Sequence, residues 1–443
     1  MALKIAPSFS NEQEEFKIYP ERWWILATCM TLTMGNIMQW MSYSALIQET
    51  NQYFCGEMQC SASFLSNQIY QLVAALFCVV GMWAATKLGV LYTLRICAML
   101  NFLGAAIRLI SSIPWIENFG IRVAIMLFGT TVAACSQMYF VITTKLAESW
   151  FHSENRASAN VACMNSVPLG AVLGSFIPSL IIPTDLGTTI SNTWIFFELN
   201  SIILLITLVP LVIAFGFCKN SNPPTPPSRS SRHSSGPEVL TQIKICLKNP
   251  QFLVQILIYC INFAPVMGII FVSEHLTILK YDLKGFPVAI STLAGILAAY
   301  LVGVLVDRTR WFKEVVMVNC VVQAVVLAGL RWFLEKEHEN RTDSIIVCLL
   351  CGIVMSTSSI HIPIGCELGV ETTYPVHESI STGILNAIGQ LWLFIFFFIL
   401  YDLEYAGWLT SINFWLTTSI LNSFLALIFL RPTYNRMKVE NQK

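Results

Sequence analysis

Nine stretches of this chain hold more than twenty residues without a single Asp, Glu, Lys or Arg: 23–48, 58–86, 123–144, 157–184, 249–273, 285–306, 344–366, 379–401 and 405–430. A helix needs roughly 20 mostly apolar residues to cross the hydrocarbon core of a bilayer. Three more stretches, 95–113, 194–218 and 315–334, reach that length once an embedded or bordering charge is admitted. The expected fold is an all-α membrane protein with twelve transmembrane helices.

Composition agrees with that reading and excludes others. The chain is 55% hydrophobic and 12% charged, about half the charge of an ordinary globular domain. Its formal net charge is zero, so nothing argues for a nucleic-acid partner; the lipid bilayer is the partner implied, with the chain as a monomer. Zinc-type Cys and His spacings, phosphate-binding glycine loops and nucleophile elbows are not found, so neither a metal, a cofactor nor an enzyme is expected. Most of the fourteen cysteines lie in apolar runs, where Cys behaves as a small hydrophobe. Cys55 and Cys60, in the polar "CGEMQC", are the candidates for a disulfide, with two free thiols as the alternative.

Lys and Arg set the orientation, because they are retained in the cytosol. With both termini inside, nineteen fall in the tails and inner loops, six near outer loops, and Arg108 within span 3, which together make the 26 of the chain. The N-terminus is polar and acidic up to Tyr19, unlike a cleavable signal peptide. Asn340, in the sequon "NRT", then faces the lumen or exterior, a candidate for glycosylation. Residues 219–248 contain "NSNPPTPPSRSSRHSSGPE", a Pro/Ser-rich stretch that reads as a cytosolic linker. The expected domains are an N-terminal tail 1–22, a six-helix bundle 23–218, the linker, a second six-helix bundle 249–430, and a tail 431–443.

"GVLVDRTRWFK", residues 303–313, lies in the inner loop after span 8, and "GMWAATKLGVLYTLR" is its weak counterpart after span 2. The first resembles the loop signature of the major facilitator superfamily. That resemblance implies a major facilitator fold in which Asp307, with Arg308 or Arg310, latches the two halves; Thr86 stands where the first-half acid belongs. "GNIMQWMSYS", "TTKLAESWFHSENRASANVACMNSVPLG", "VDRTRWF" and "GCELGVETTYPVHESISTGILNAIGQ" are similar to the feline leukaemia virus subgroup C receptor-related family, solute carrier family 49, and "NPPTPPS" is most like its orphan third branch. The resemblance implies alternating-access, facilitative transport of a small organic solute. Relatives handle choline and ethanolamine, or a B6 vitamer, and haem has also been proposed. The alternatives carried forward are a haem or porphyrin exporter and a transport-dead receptor or scaffold.

Asn36, Trp40 and Tyr43 fall on one face of span 1, and Trp40 lies about 25 Å from Trp23, deep in the membrane. Trp is the strongest cation–π partner, and the resemblance places Trp40 where relatives contact a quaternary ammonium. Met267 stands where choline-handling relatives have a tyrosine; Val167 and Pro168 replace an Asn-Gln pair, with Asn165 displaced by two positions. Gln137, Asn386 and Gln390 are buried amides that either bind a solute or tie helices together. Arg108 meets an anionic solute or pairs with Glu198. Glu274 closes span 7, either as a cation or proton site or as a solvated acid. Glu367 and Glu371 share a helical face and read as gate residues opposite basic groups such as Lys145 or Arg156.

Overall fold

The computed structural model describes residues 19–44, 46–56, 60–152, 154–182, 194–225, 238–264, 268, 286–335, 341–404 and 406–440. Among the described residues all regular structure is helical. Each of the twelve apolar runs holds one long helix: α1 Glu21–Ser44, α2 Ala62–Lys87, α3 Val90–Ser111, α4 Phe119–Cys135, α5 Arg156–Ile181, α6 Ile195–Gly216, α7 Pro250–Phe263, α8 Phe286–Thr309, α9 Phe312–Glu335, α10 Arg341–Thr373, α11 Glu378–Glu404 and α12 Trp408–Phe429. Ten described helices are long and apolar enough to cross a membrane; α1 has 24 residues and α7 is described over 14. Large apolar side chains such as Leu76, Leu205 and Leu301 are exposed on the outer faces, as suits a molecule whose solvent is lipid.

Two helices depart from the expected runs. α4 stops at Cys135, tightens into a 3₁₀ segment, Ser136–Val141, and resumes as a separate helix, Thr143–Trp150. Such mid-helix 3₁₀ stretches often mark hinges. Residues 168 and 178 are prolines, yet α5 runs unbroken through both. α10 extends past its apolar run to Thr373, which carries Glu367 and Glu371 on a continuous helix.

The packing repeats after six helices. In the first set α1 touches α5 and α6, α3 touches α4 and α6, and α2 touches α4. In the second set α7 touches α11 and α12, α9 touches α10 and α12, and α8 touches α10. The sets meet along two equivalent seams, α2 with α11 and α5 with α8. Small residues permit both approaches. A Cβ on Gly383 of α11 would stand within van der Waals overlap of Met82 on α2, and one on Gly303 of α8 would lie 2.8 Å from Val161 on α5. One end of the bundle, where α1 begins and α12 ends, is the tail end; the other is the far end.

Candidate functional site

The α2–α11 seam runs antiparallel, with Phe64 stacked on Phe397 toward the far end and Met82 against Gly383 toward the tail end. Gln71 lies midway between those two contacts along α2, and Gln390 midway between them along α11. Gln390 Nε2 donates to Gln137 Oε1 at 3.3 Å, so the 3₁₀ break in α4 supplies an amide that crosses between the two helix sets. Gln68 lies one turn from Phe64 on the same α2 face. Both polar atoms of its amide, together with Oε1 of Gln71 and Oε1 of Gln390, are buried without a protein partner. Unpartnered buried polar atoms are rare and costly, and several in one seam are the kind of surface that takes a polar solute or water.

The three span 1 candidates do not share one environment. Trp40 donates its indole N–H to Asn67 and stacks on Tyr70, both on α2 beside the seam. Asn36 is tied into the first helix set: its Nδ2 donates to Asn101 Oδ1 and the Ala133 carbonyl, and its Oδ1 accepts from the Tyr139 hydroxyl. Tyr43 is also fully buried, its hydroxyl bonded to Asn200. A shared helix face fixes direction only; the close approach of α3 and α4 takes up Asn36, and that of α6 takes up Tyr43.

Arg108 and Glu198 are not paired. Glu198 is exposed, while α6 turns Asn200 inward. Arg108, 1% exposed, donates to the Gln39 carbonyl and the Ser42 hydroxyl and lies 3.9 Å over the Tyr43 ring. It sits in the last turn of α3 and against the closing turns of α1, where the helix dipoles are negative.

At the tail end the two helix sets are bolted together. Asp307, at the end of α8, accepts from the backbone N–H groups of Ala157 at 3.1 Å and Ser158 at 2.8 Å, and from the Ser158 hydroxyl. The α5 N-cap residue, Asn155, makes no capping bond of its own, so Asp307 caps α5 from across the seam. Arg308 is exposed; Arg310 ends α8 with φ 62°, its N–H bonded to the Val306 carbonyl. Asn165 donates to the Ile296 carbonyl of α8. Asn386 accepts from Tyr259 and donates to the Phe140 and Thr382 carbonyls.

Glu367 and Glu371 face a basic group, Arg436, rather than Lys145. A short helix after α12, Asn435–Glu440, inserts Arg436 between them. Its guanidinium donates to Glu367 at 2.7 Å, Glu371 at 2.8 Å and Glu378 at 3.0 Å. Burial works against that charge, and Glu371, Glu367 and Glu378 overcome it, holding Arg436 well above the ordinary arginine pKa. Lys145 instead donates to the Ala85 carbonyl and contacts His377 Nε2 at 2.9 Å. Burial holds the Lys145 amine low, opposed by Glu148 and Glu378. Burial, then Lys145, pushes His377 down to about 3, so it stays neutral and its Nε2 accepts.

Met267, Glu274 and Asn340 lie outside the described residues. Cys55 and Cys60 are joined as a disulfide at the far end, with Cα atoms 5.8 Å apart. Gln68, Gln71, His377 and Arg436 were not singled out by sequence reasoning. The two glutamines share the helical spacing of Phe64, which marks their face, whereas Arg436 looks like any basic residue of a solvated tail.

Comparison with known proteins agrees with this architecture. The chain is 25% identical over 457 residues to "Solute carrier family 49 member A3" of Xenopus tropicalis, covering 97% of this chain and 91% of the relative. It is 24% identical to the human "Choline/ethanolamine transporter FLVCR2", over 86% of this chain and 71% of that one. Among solved structures, the E. coli fucose:proton symporter FucP superposes with a TM-score of 0.70 at 12% identity, covering 94% of this chain and 99% of that one, a likeness of fold. The Major Facilitator Superfamily model matches residues 23–397, and this chain is a transporter-fold member of that superfamily.

Proposed function

We propose that this chain carries a small organic solute, a choline- or ethanolamine-like amine or a vitamin-like ring, by facilitated alternating access, with both termini in the cytosol of a plasma-membrane or endomembrane protein. The observation that carries the reading is the amide seam: Gln68, Gln71, Gln137 and Gln390 between α2, α4 and α11, with buried polar atoms left unpartnered. Amides hydrogen-bond a neutral or cationic solute without fixing a charge in the membrane. Trp40, beside them, offers an aromatic face worth about 0.5–2 kcal/mol to a cation. The names of the FLVCR2 relatives support the amine class, and the tail-end contacts, closed across both seams, support a gate at that end.

Uptake of choline, ethanolamine and pyridoxine into cells with and without the protein tests the reading. Saturable uptake of one of them is expected, abolished by Gln390→Leu and by Trp40→Ala, and partly kept by Trp40→Phe. Wild-type uptake that neither Gln390→Leu nor Trp40→Ala changes removes the seam from the pathway.

A further inference from the structure

The cluster at the tail end holds more buried acids than buried bases. Glu148, Glu367, Glu371 and Glu378 are each at most 3% exposed. Against them stand Lys145, on the Thr143–Trp150 helix, Arg156 at the start of α5, and Arg436. That is three cations for four carboxylates. His377 adds no charge, because burial keeps it neutral.

Among the described residues, the other ionisable groups beside this cluster do not make up the difference. Asp307 of α8 brings a further carboxylate, but the α5 N-terminus already holds its oxygens. Burial pushes the Cys246 thiol up to about 11 and raises the Tyr434 phenol, so both stay neutral. Lys244, Lys248, Arg308 and Glu314 are exposed to solvent.

The excess has an address. Arg436 and the Met437 N–H serve both oxygens of Glu371, while Glu367 and Glu378 receive one arginine bond each. Oε2 of Glu378 is buried and has no donor. Thr144, one turn before Glu148, donates to the hydroxyl of Thr382, one turn after Glu378, so the two antiparallel helices carry Glu148 and Glu378 on adjoining turns. Two carboxylates confined together take up a proton between them, and the pair titrates as a unit.

We propose that the Glu148–Glu378 pair binds one proton while the tail end is closed and releases it to water when that end opens, so that the gate is itself a proton site. The proton is bonded to a carboxylate oxygen in the closed state and passes to bulk water or buffer on opening, with no change of oxidation state. Because the closed state binds the proton more tightly, closure is favoured below the pKa of the closed pair and is lost as pH rises through it. This does not depend on which solute is carried.

The test is infrared difference spectroscopy of the purified full chain in lipid nanodiscs, titrated from neutral to alkaline pH. Wild type is expected to show a protonated-carboxyl band at neutral pH that disappears on titration, and Glu378→Gln or Glu148→Gln to lose that band. The second variant covers the case in which the first does not fold, and the wild-type spectrum alone decides whether such a proton exists. No protonated-carboxyl band in wild type at neutral pH, or a band unchanged in folded Glu378→Gln and Glu148→Gln, overturns the proposal.

Discussion

Gly104 on α3 stands so close to α4 that an added methyl would lie 2.6 Å from the Ala133 backbone nitrogen. Backbone cannot yield as a flexible side chain can, so Gly104→Ala must push α3 from α4 and should destabilise by about 1–3 kcal/mol. Thermal unfolding of the purified protein should show a lowered melting temperature. Gly216, with nothing within 4 Å of its would-be Cβ, is the control, and Gly216→Ala should melt near wild type; equal melting of both variants refutes the packing argument. The same close approach explains Asn36. Its helix face was legible, but with Asn101, Ala133 and Tyr139 all in reach its polar atoms are spent inside the first helix set. No periodicity in span 1 reveals what stands opposite.

Between elements, two contacts across long sequence separations tie the tail end together, Asp307 of α8 with α5 and Arg436 with α10 and α11. Asp307 caps α5, and capping interactions contribute about 0.5–2 kcal/mol. Asp307→Ala should therefore shift the population toward the tail-open state more than it lowers expression. An introduced cysteine at Ser158, labelled by a hydrophilic maleimide, would report it: faster labelling beside Asp307→Ala is expected, and an unchanged rate counts against the clasp. Arg436 is the larger contact. Removing one partner of a buried ion group costs about 3–5 kcal/mol, because the others are left unpaired. Arg436→Ala should lower the melting temperature and expose Cys246, which is 1% exposed and touches Ser381 at the start of α11. Normal melting with Cys246 still unreactive would show that the Arg436 contacts do not hold this end together. The pairing of Glu367 and Glu371 with a basic group was legible from their one-turn spacing. Which group it is was not, since a tail residue 69 positions away from Glu367 folds back to supply it.

For the whole molecule, the excess of Lys and Arg at one set of loops predicts that a tag inserted after Ser235 is reachable by antibody only after permeabilisation; labelling in intact cells would reverse the orientation. What the sequence determined by itself is the class of fold and the place of each helix. Charge is costly in hydrocarbon at every single position, so the apolar runs mark the helices locally, with no knowledge of neighbours. The loop motif around Asp307 was legible for a similar reason, as a polar signature between two apolar runs. Only the tertiary structure decided which amides meet: Gln137 with Gln390 across the seam, Asn36 and Tyr43 away from it. It also placed a break in α4, whose sequence has no proline there, and none in α5, which runs through Pro168 and Pro178. Buried polar groups take whichever partner packing brings within hydrogen-bonding distance, and that depends on the approach of helices far apart in the chain.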